Sequence, residues 1–404
     1  MRSYERLLKY VTFRTPSDEE STTGPSSECQ FSLGRYLEQE LKELGVADAF
    51  CDEFCYVYGH LPATEGMEDK PCIGFVAHMD TVSDFCDHDV TPVITPDYNG
   101  ELFPLGDSGR VLDPAMFPHL PSLKGRTLIT TDGTTILGAD DKAGVAAIMT
   151  LVETLINEKI PHGPIAVAFT PDEEIGMGTA NFSTEKFGAK YAYTIDGGAE
   201  GEIEYENFNA AQVKVEFNGV NVHPGTSKDV MVNACLVAME FNQMLPSGDT
   251  PRDTCGYEGF FHLLSMTGDV AHAELVYIIR DHNAATFAHR KETIAHIAEL
   301  LNNKWGQGTV TFTLRDQYRN MVEIVNQYPF LIENAEKAAE LSGVSPATIP
   351  IRGGTDGANL SFMGIPCPNL GTGGYAFHGP YEHITVEGMD KVSEILLNLV
   401  KISF

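Results

Sequence analysis

The chain has 404 residues, more than a usual single domain, so its length favours two domains. Hydrophobic residues make up 43% of it and charged residues 21%, a composition typical of globular rather than disordered proteins. Asp and Glu number 57 against 27 Lys and Arg, a formal charge of -30 that repels nucleic acid and anionic membranes and favours cations.

The sequence carries no signal for a membrane or for export. No apolar run approaches the roughly 20 residues that span a bilayer. The opening residues MRSYERLLKYVTF form a charged amphipathic pattern without the uninterrupted apolar core of a signal peptide. The eight cysteines include no Cys-x-x-Cys pair, which favours reduced thiols over a zinc ribbon. These features predict a cytoplasmic protein without nucleic-acid or membrane partners.

The first half of the chain alternates strand and helix patterns. The predicted elements are helices near 2–13, 27–44 and 141–158, strands at 71–80, 163–170 and 190–198, and a long irregular stretch at about 84–125. Strand–helix–strand order predicts a mostly parallel sheet covered by helices.

The pattern changes near residue 208. A strand at 212–217, a helix at 231–245, strands at 259–266 and 272–280, a helix at 284–304 and a strand at 309–316 follow one another. This order is that of the split βαβ, ferredoxin-like motif. We therefore predict an inserted α+β domain at 208–314.

The α/β pattern resumes after the insertion. Its predicted elements are helices at 329–342, from 356 and at 386–402, and strands at 347–351 and 367–371. The predicted fold class is α/β, with one helix-flanked, mostly parallel sheet built from 1–207 and 315–404 and interrupted by the smaller domain.

Metal-ligand side chains recur at the carboxyl ends of the predicted strands, where open α/β sheets bind their ligands. His78 and Asp80, in HMD, are two residues apart and point the same way on an extended backbone. The others are Asp140 and Asp141 in LGADDKAG, Glu173 and Glu174 in TPDEEIG, Asp196 in TIDGG and His378 in GGYAFHGPYEH.

Each of these residues also has an ordinary explanation. Asp140 or Asp141 could cap the following helix, and His78 could be a core histidine bonded to Asp80. Asp196 could lie in a turn, and His378 in an ordinary loop. As a set, however, two neutral imidazoles and three or four carboxylates suit a pair of zinc ions bridged by one carboxylate.

The motifs HMD, LGADDKAG, TPDEEIG, IDGG and FHGP together resemble those of the co-catalytic zinc peptidases related to glutamate carboxypeptidase and aminoacylase, over essentially the full chain. VNVHPGTSKDVMVNA and RGGTDGANL bring it close to the branch that cleaves tripeptides. The resemblance implies a catalytic α/β domain with a lid domain. It also implies two zinc ions, with cobalt or manganese as alternatives, and hydrolysis of the N-terminal residue from short peptides, chiefly tripeptides.

The same resemblance implies a role for each ligand-type residue. Asp140 would bridge both ions, His78 and Asp196 would complete one site, and Glu174 and His378 the other.

Four further expectations for the centre accompany these roles. Glu173 would be the general base, and Asp80 would orient His78. The third carboxylate of the acidic run, Asp172, is expected to be uninvolved. The peptide bond between Asp140 and Asp141 is expected to be cis.

Three candidate substrate contacts lie outside this set. His223, in NVHPG, resembles a lid histidine that contacts the tetrahedral intermediate, with an ordinary turn histidine as the alternative. Arg280, ending VYIIR, could bind a peptide carboxylate through its planar fork or form an edge-strand salt bridge. Arg352, in IRGGTDG, is a substrate contact or a structural arginine.

Two other functions stay open from the sequence. A related dinuclear-metal dipeptidase or N-acyl amino acid hydrolase would keep the metal centre, and a metal-free binding module would keep only the fold. The predicted partners are short peptides. The chain is expected to be a monomer or a homodimer, because the edge of a split βαβ sheet could pair with a second copy.

Overall fold

The computed structural model describes residues 1–404, which divide into two units. The larger unit comprises Met1–Tyr205, Glu323–Ile349 and Thr355–Phe404. The smaller unit comprises Glu206–Val322 and the short segment Pro350–Gly354.

The elements of the larger unit before the insertion begin with two helices and end with a short strand. They are α1 (Ser3–Tyr10), α2 (Gln30–Leu44), β1 (Phe50–Cys51), β2 (Val57–Leu61), β3 (Ile73–His78), β4 (Val93–Thr95), β5 (Phe103–Pro104), β6 (Val111–Leu112), β7 (Leu128–Thr130), α3 (Ala139–Glu158), β8 (Ile165–Thr170), α4 (Thr184–Phe187), β9 (Tyr191–Gly197) and β10 (Glu202–Glu204).

The remaining elements complete both units. The smaller unit contains β11 (Asn209–Asn218), α5 (Ala234–Met244), β12 (Phe260–Gly268), β13 (His272–Asp281), α6 (Ala284–Trp305) and β14 (Val310–Tyr318). After it come α7 (Val322–Val325), α8 (Pro329–Leu341), β15 (Ala347–Thr348), α9 (Asp356–Phe362), β16 (Asn369–Gly371), β17 (Gly374–Tyr375), β18 (His383–Thr385) and α10 (Val386–Ser403). No helix of the chain combines the length and the apolar character needed to cross a bilayer.

The main sheet of the larger unit has eight strands in the order β1-β2-β8-β3-β9-β16-β10-β15. Its four central strands, from β8 to β16, run parallel to one another. β3 and β8 are buried at every position, because a parallel sheet is covered on both faces. The predicted α/β fold class is confirmed.

Alternate residues of β3 enter two different apolar cores. Ile73 and Phe75 face the large core formed with α1, α2, α3, α8 and α10. Val76 faces the smaller core formed with Phe187 of α4 and Leu360 of α9. The helices therefore cover both faces of the sheet, and its strand ends stay open to carry polar residues.

The prediction that residues 84–125 are irregular is wrong, because this stretch contains three short strands. β4 joins a second sheet of order β17-β18-β7-β4, and β5 pairs with β6 as a hairpin. These strands have only two or three residues, too few to show an alternating pattern in the sequence.

The smaller unit is a four-stranded antiparallel sheet of order β12-β13-β11-β14. In β11, Val213, Val215 and Phe217 are buried with α5 and α6, whereas Gln212 and Lys214 are exposed. This ferredoxin-like α+β arrangement is the architecture that the sequence predicts for the insertion.

A buried ion pair holds helix α6 of the smaller unit to its sheet. Arg290 Nε donates to Asp281 Oδ2 at 2.7 Å, and Arg290 Nη1 donates to Asp249 Oδ2 at 2.6 Å. The other oxygen of Asp281 accepts the N–H of Asn283 at 2.9 Å, at the residue that caps α6. Asp281 thus forms an ion pair with Arg290 and also stabilises the start of α6.

We predict that Asp281→Ala lowers the free energy of unfolding by about 3 kcal/mol, because the mostly buried Arg290 keeps only Asp249 as a charged partner and the Asn283 N–H loses its acceptor. Chemical denaturation of the purified variant measures this loss. Glu292→Ala is the control, since the Glu292 side chain is 77% exposed and pairs only with a surface histidine. Equal stabilities of the two variants would show that the contacts of Asp281 do not stabilise the protein.

Candidate metal centre

The open edge of the main sheet brings ligand-type side chains together. His78 is the last residue of β3, and Asp196 lies near the end of β9. Glu173 and Glu174 begin a 3-10 turn just after β8, and Asp140 lies at the start of α3. Since parallel strands end at one edge, side chains far apart in the chain meet there.

Asp140 directs its two carboxylate oxygens at two different histidines. Oδ1 lies 3.0 Å from His78 Nε2, and Oδ2 lies 3.1 Å from His378 Nε2. His78 Nε2 is also 3.6 Å from Asp196 Oδ1, and His378 Nε2 is 3.1 Å from Glu174 Oε2. The donors therefore form two adjacent groups that share Asp140, the arrangement expected of a bridging carboxylate.

Asp141 is a buried residue that the sequence did not single out for a role. Donor atoms of His78, Asp141 and Asp196 lie within 4.8 Å of one another, as do those of His78, Asp140 and Glu174. Both Asp141 oxygens already accept backbone N–H groups, from His78 at 3.1 Å and from Gly144 at 3.1 Å. Asp141 thus ties the end of β3 to α3, and its peptide bond with Asp140 is cis, as predicted.

Asp80 connects the first histidine to the acidic turn. Its Oδ1 lies 3.3 Å from His78 Nδ1. The same carboxylate accepts the N–H of Glu173 at 3.0 Å and the N–H of Glu174 at 3.2 Å. Asp80 is fully buried, so it fixes the imidazole ring of His78 and the acidic turn relative to each other.

Asp172, expected to be uninvolved, is a buried anchor of the acidic turn. Its Oδ2 accepts the N–H of Ser26 at 2.7 Å, and its Oδ1 accepts the Ser26 hydroxyl at 2.5 Å and the Gln30 amide at 2.7 Å. Asp172 also adopts a left-handed backbone conformation, with φ of 59°. It contacts none of the imidazoles but fixes the turn to the segment before α2.

The charges of the centre act strongly on one another. Hydrogen bonds to Asp140 and Glu174 raise the pKa of His378 to about 11. Burial raises the pKa of Glu174 to about 6, with Asp140 adding to the effect. Burial opposes ionisation of Asp140, but hydrogen bonds with both histidines hold its pKa well below the usual range. For His78, burial is outweighed by Asp196 and Asp140, so its pKa is raised well above the ordinary value.

The donor set fits a pair of transition-metal ions. Two imidazoles and three carboxylates converge on the shared Asp140, and imidazole with carboxylate is a ligand combination that zinc accepts. Three of these residues, together with Glu173, carry like charges at a mostly buried site, which needs compensating cations. His78, Asp140 and Asp196 would hold one ion, and Asp140, Glu174 and His378 the other.

His223 and Arg280 lie in the smaller unit. His223 precedes a 3-10 turn and its Nδ1 accepts the N–H of Gly225 at 3.1 Å. Arg280 is on β13 and donates to the carbonyls of Ala211 at 3.3 Å and Ile279 at 3.1 Å. Substrate contact by either residue stays a prediction.

Arg352 also belongs to the smaller unit, where it organises a loop. Its guanidinium donates to the carbonyl oxygens of Gly256 at 2.8 Å and Glu258 at 2.9 Å and to the Thr254 hydroxyl at 2.9 Å. The same group lies 5.1 Å from the ring centroid of Phe208. These contacts give Arg352 a structural task, and its predicted substrate contact stays a prediction.

Sequence reasoning missed two buried carboxylates beside the centre. Asp356 begins α9 and accepts the hydroxyl of Thr170, the last residue of β8, at 2.7 Å. Glu382 precedes β18 and accepts backbone N–H groups from the start of α3. The only signal for Asp356 is its place in RGGTDGANL, and Glu382 merely stands before the short apolar run of β18.

The α/β sheet, with ligand-type side chains paired at its strand ends, is the arrangement of a protein that can bind metal ions at the open edge of its sheet. Residues 132–402 match the model of peptidase family M20/M25/M40. The chain is 52% identical over 400 residues to a protein of Clostridium perfringens named peptidase T, covering 99% of this chain and 98% of that protein. The chain belongs to peptidase family M20/M25/M40.

Solved structures share the fold. An aminopeptidase PepT from Bacillus cereus superposes with a TM-score of 0.79 at 24% identity, covering 100% of this chain and 98% of that one. A tripeptidase from Staphylococcus aureus gives a TM-score of 0.78 at 22% identity, again covering 100% and 98%. The predicted resemblance to this peptidase family, and within it to peptidase T, is confirmed, and the chain is an enzyme of the peptidase class.

Because the two oxygens of Asp140 lie toward both histidines, we predict that Asp140→Ala loses both metal ions. Asp196→Ala, which lacks a ligand of one group only, should keep one ion. Elemental analysis of each variant after removal of loosely bound metal measures the stoichiometry. One fully occupied ion in the Asp140 variant would contradict the bridging role.

Proposed function

We propose that this chain is a two-zinc aminopeptidase that hydrolyses the N-terminal residue from short peptides, chiefly tripeptides, in peptide catabolism. The observation that carries the proposal is the Asp140 carboxylate, whose two oxygens face His78 and His378. The names of two similar proteins, peptidase T and a tripeptidase, support the same substrate class.

The bound ions would supply an acidified water and a polarised peptide carbonyl. The chain's own residues orient the centre around that chemistry. Asp80 contacts the ring of His78 and accepts the N–H groups of Glu173 and Glu174, so it holds the metal-ligand side chains in position.

Glu173 is the residue best placed to move a proton. Its backbone N–H is held by Asp80, and its carboxylate interacts with His78, Asp196 and Glu174. Burial and the negative charges of Asp196 and Glu174 outweigh the opposing effect of His78 and raise the pKa of Glu173 well above the ordinary value, which suits a group that accepts a proton. Glu173 would take a proton from the attacking water and pass it to the leaving amine.

We predict that Glu173→Gln lowers turnover about 100-fold or more, the usual scale for loss of a general base, with the metal content unchanged. Steady-state hydrolysis of a tripeptide and elemental analysis measure the two quantities. Glu185→Gln, at an exposed position of α4, is the matched control. Retained activity in the Glu173 variant would place the base elsewhere.

The proposed substrate class is tested with free-amine di-, tri- and tetrapeptides and an N-acyl amino acid. We expect the tripeptide to be cleaved best at its first bond, with all activity lost on adding a chelator. Zinc, cobalt and manganese are then added back separately to compare the activity that each restores.

The outcomes separate the alternatives. Hydrolysis of the N-acyl amino acid or of dipeptides without cleavage of tripeptides would overturn the tripeptide assignment in favour of a related hydrolase. A folded protein that binds no metal and cleaves nothing would indicate a binding module. Cytoplasmic location and a monomeric or homodimeric state remain predictions.

A further inference from the structure

Glu382 is a buried carboxylate, 2% exposed, that contacts the backbone around the shared ligand. Its Oε2 accepts the N–H groups of Leu137 and Gly138, both at 2.7 Å. Its Oε1 accepts the N–H of Asp140 itself at 2.9 Å. One side chain therefore holds three of the N–H groups in the segment that leads into Asp140.

The N–H groups of Leu137, Gly138 and Asp140 find their acceptor in Glu382, far along the chain. Helix α3 begins without a side-chain cap, and Asp140 and Asp141 depart from helical backbone angles. Gly138 adopts φ of 75°, a left-handed conformation that a side chain would strain. Buried N–H groups left unpaired would cost free energy, so the acceptor from the distant Glu382 decides how this backbone lies.

A buried cation lies beside the same segment. Lys142 is 2% exposed, and its Nζ donates to the carbonyl of Phe13 at 3.0 Å. A methyl group added at Gly138 would lie 3.5 Å from that nitrogen. The cation and the three N–H groups offset the repulsion between the Glu382 and Asp140 carboxylates.

We infer that Glu382 is a positioning residue that fixes the backbone of Asp140 so that its two oxygens serve both metal sites. The inference rests on the proposed two-metal function. It differs from a purely structural role, in which Glu382 would only join β18 to α3 and its loss would change stability but not metal binding.

The chain provides a matched control five residues further on. Glu387 also accepts a backbone N–H, from Thr127 at 2.8 Å, and the Thr127 hydroxyl at 3.1 Å. It anchors Thr127, the residue before β7, rather than the segment that leads into Asp140. Glu382→Gln and Glu387→Gln each weaken one carboxylate anchor near the start of α10.

The test begins with metal-free protein, for which thermal unfolding of wild type and both variants is recorded. Zinc affinity and stoichiometry are then measured by competition with a chelating dye. We expect Glu382→Gln to weaken zinc binding about 10- to 100-fold, the usual effect of losing an outer-shell partner, and Glu387→Gln to leave it unchanged. The visible spectrum of the cobalt-loaded protein should change only in the Glu382 variant.

Wild-type zinc affinity in Glu382→Gln, or equal weakening in both variants, would overturn the inference. If Glu382→Gln fails to fold, Glu382→Asp keeps the charge with a shorter reach, and the same comparison applies to it with the same expected direction. Failure of the proposed function would be seen separately, because wild type itself would then not bind two ions.

Discussion

The structure depends on keeping many carboxylates together at one edge of a sheet. Like charges at buried positions repel, and burial makes each charge more costly. Backbone N–H groups meet part of this requirement. Asp80 accepts two of them from the acidic turn, and Glu382 accepts three before Asp140. Backbone N–H groups therefore give these carboxylates fixed hydrogen-bond donors even without a bound ion.

The carboxylates divide into two kinds by the groups they meet. Asp140, Asp196 and Glu174 face imidazole nitrogens, so their oxygens are directed at the positions where cations would bind. The second kind accepts backbone N–H groups and holds the first kind in place, and Asp80 also lies beside the other ring nitrogen of His78; its members are Asp80, Asp141, Asp172 and Glu382. The second kind is buried and the first only partly buried, which is why burial alone does not identify a ligand.

The sequence predicts the first kind much better than the second. β3 and β8 are recognisable because a buried parallel strand is a continuous apolar run, and polar residues just after such a run must lie at the open edge. Residue roles and the cis peptide came from the resemblance. The anchoring role of Asp172, expected to be uninvolved, and that of Glu382 were not predicted, because their partners lie 146 and 242 to 245 residues away and no local pattern encodes such contacts.

The need for acceptors on both oxygens explains why the anchoring positions carry carboxylates rather than amides. Asp141 uses one oxygen for His78 N–H and the other for Gly144 N–H, and Glu382 likewise uses both. An Asn or Gln would turn an NH₂ group toward one of these N–H donors, leaving two donors facing each other. A carboxylate has acceptors only, so it can close both contacts at once. Carboxylates therefore serve two purposes in this protein, because some are placed to bind cations and others fix the backbone of those ligands.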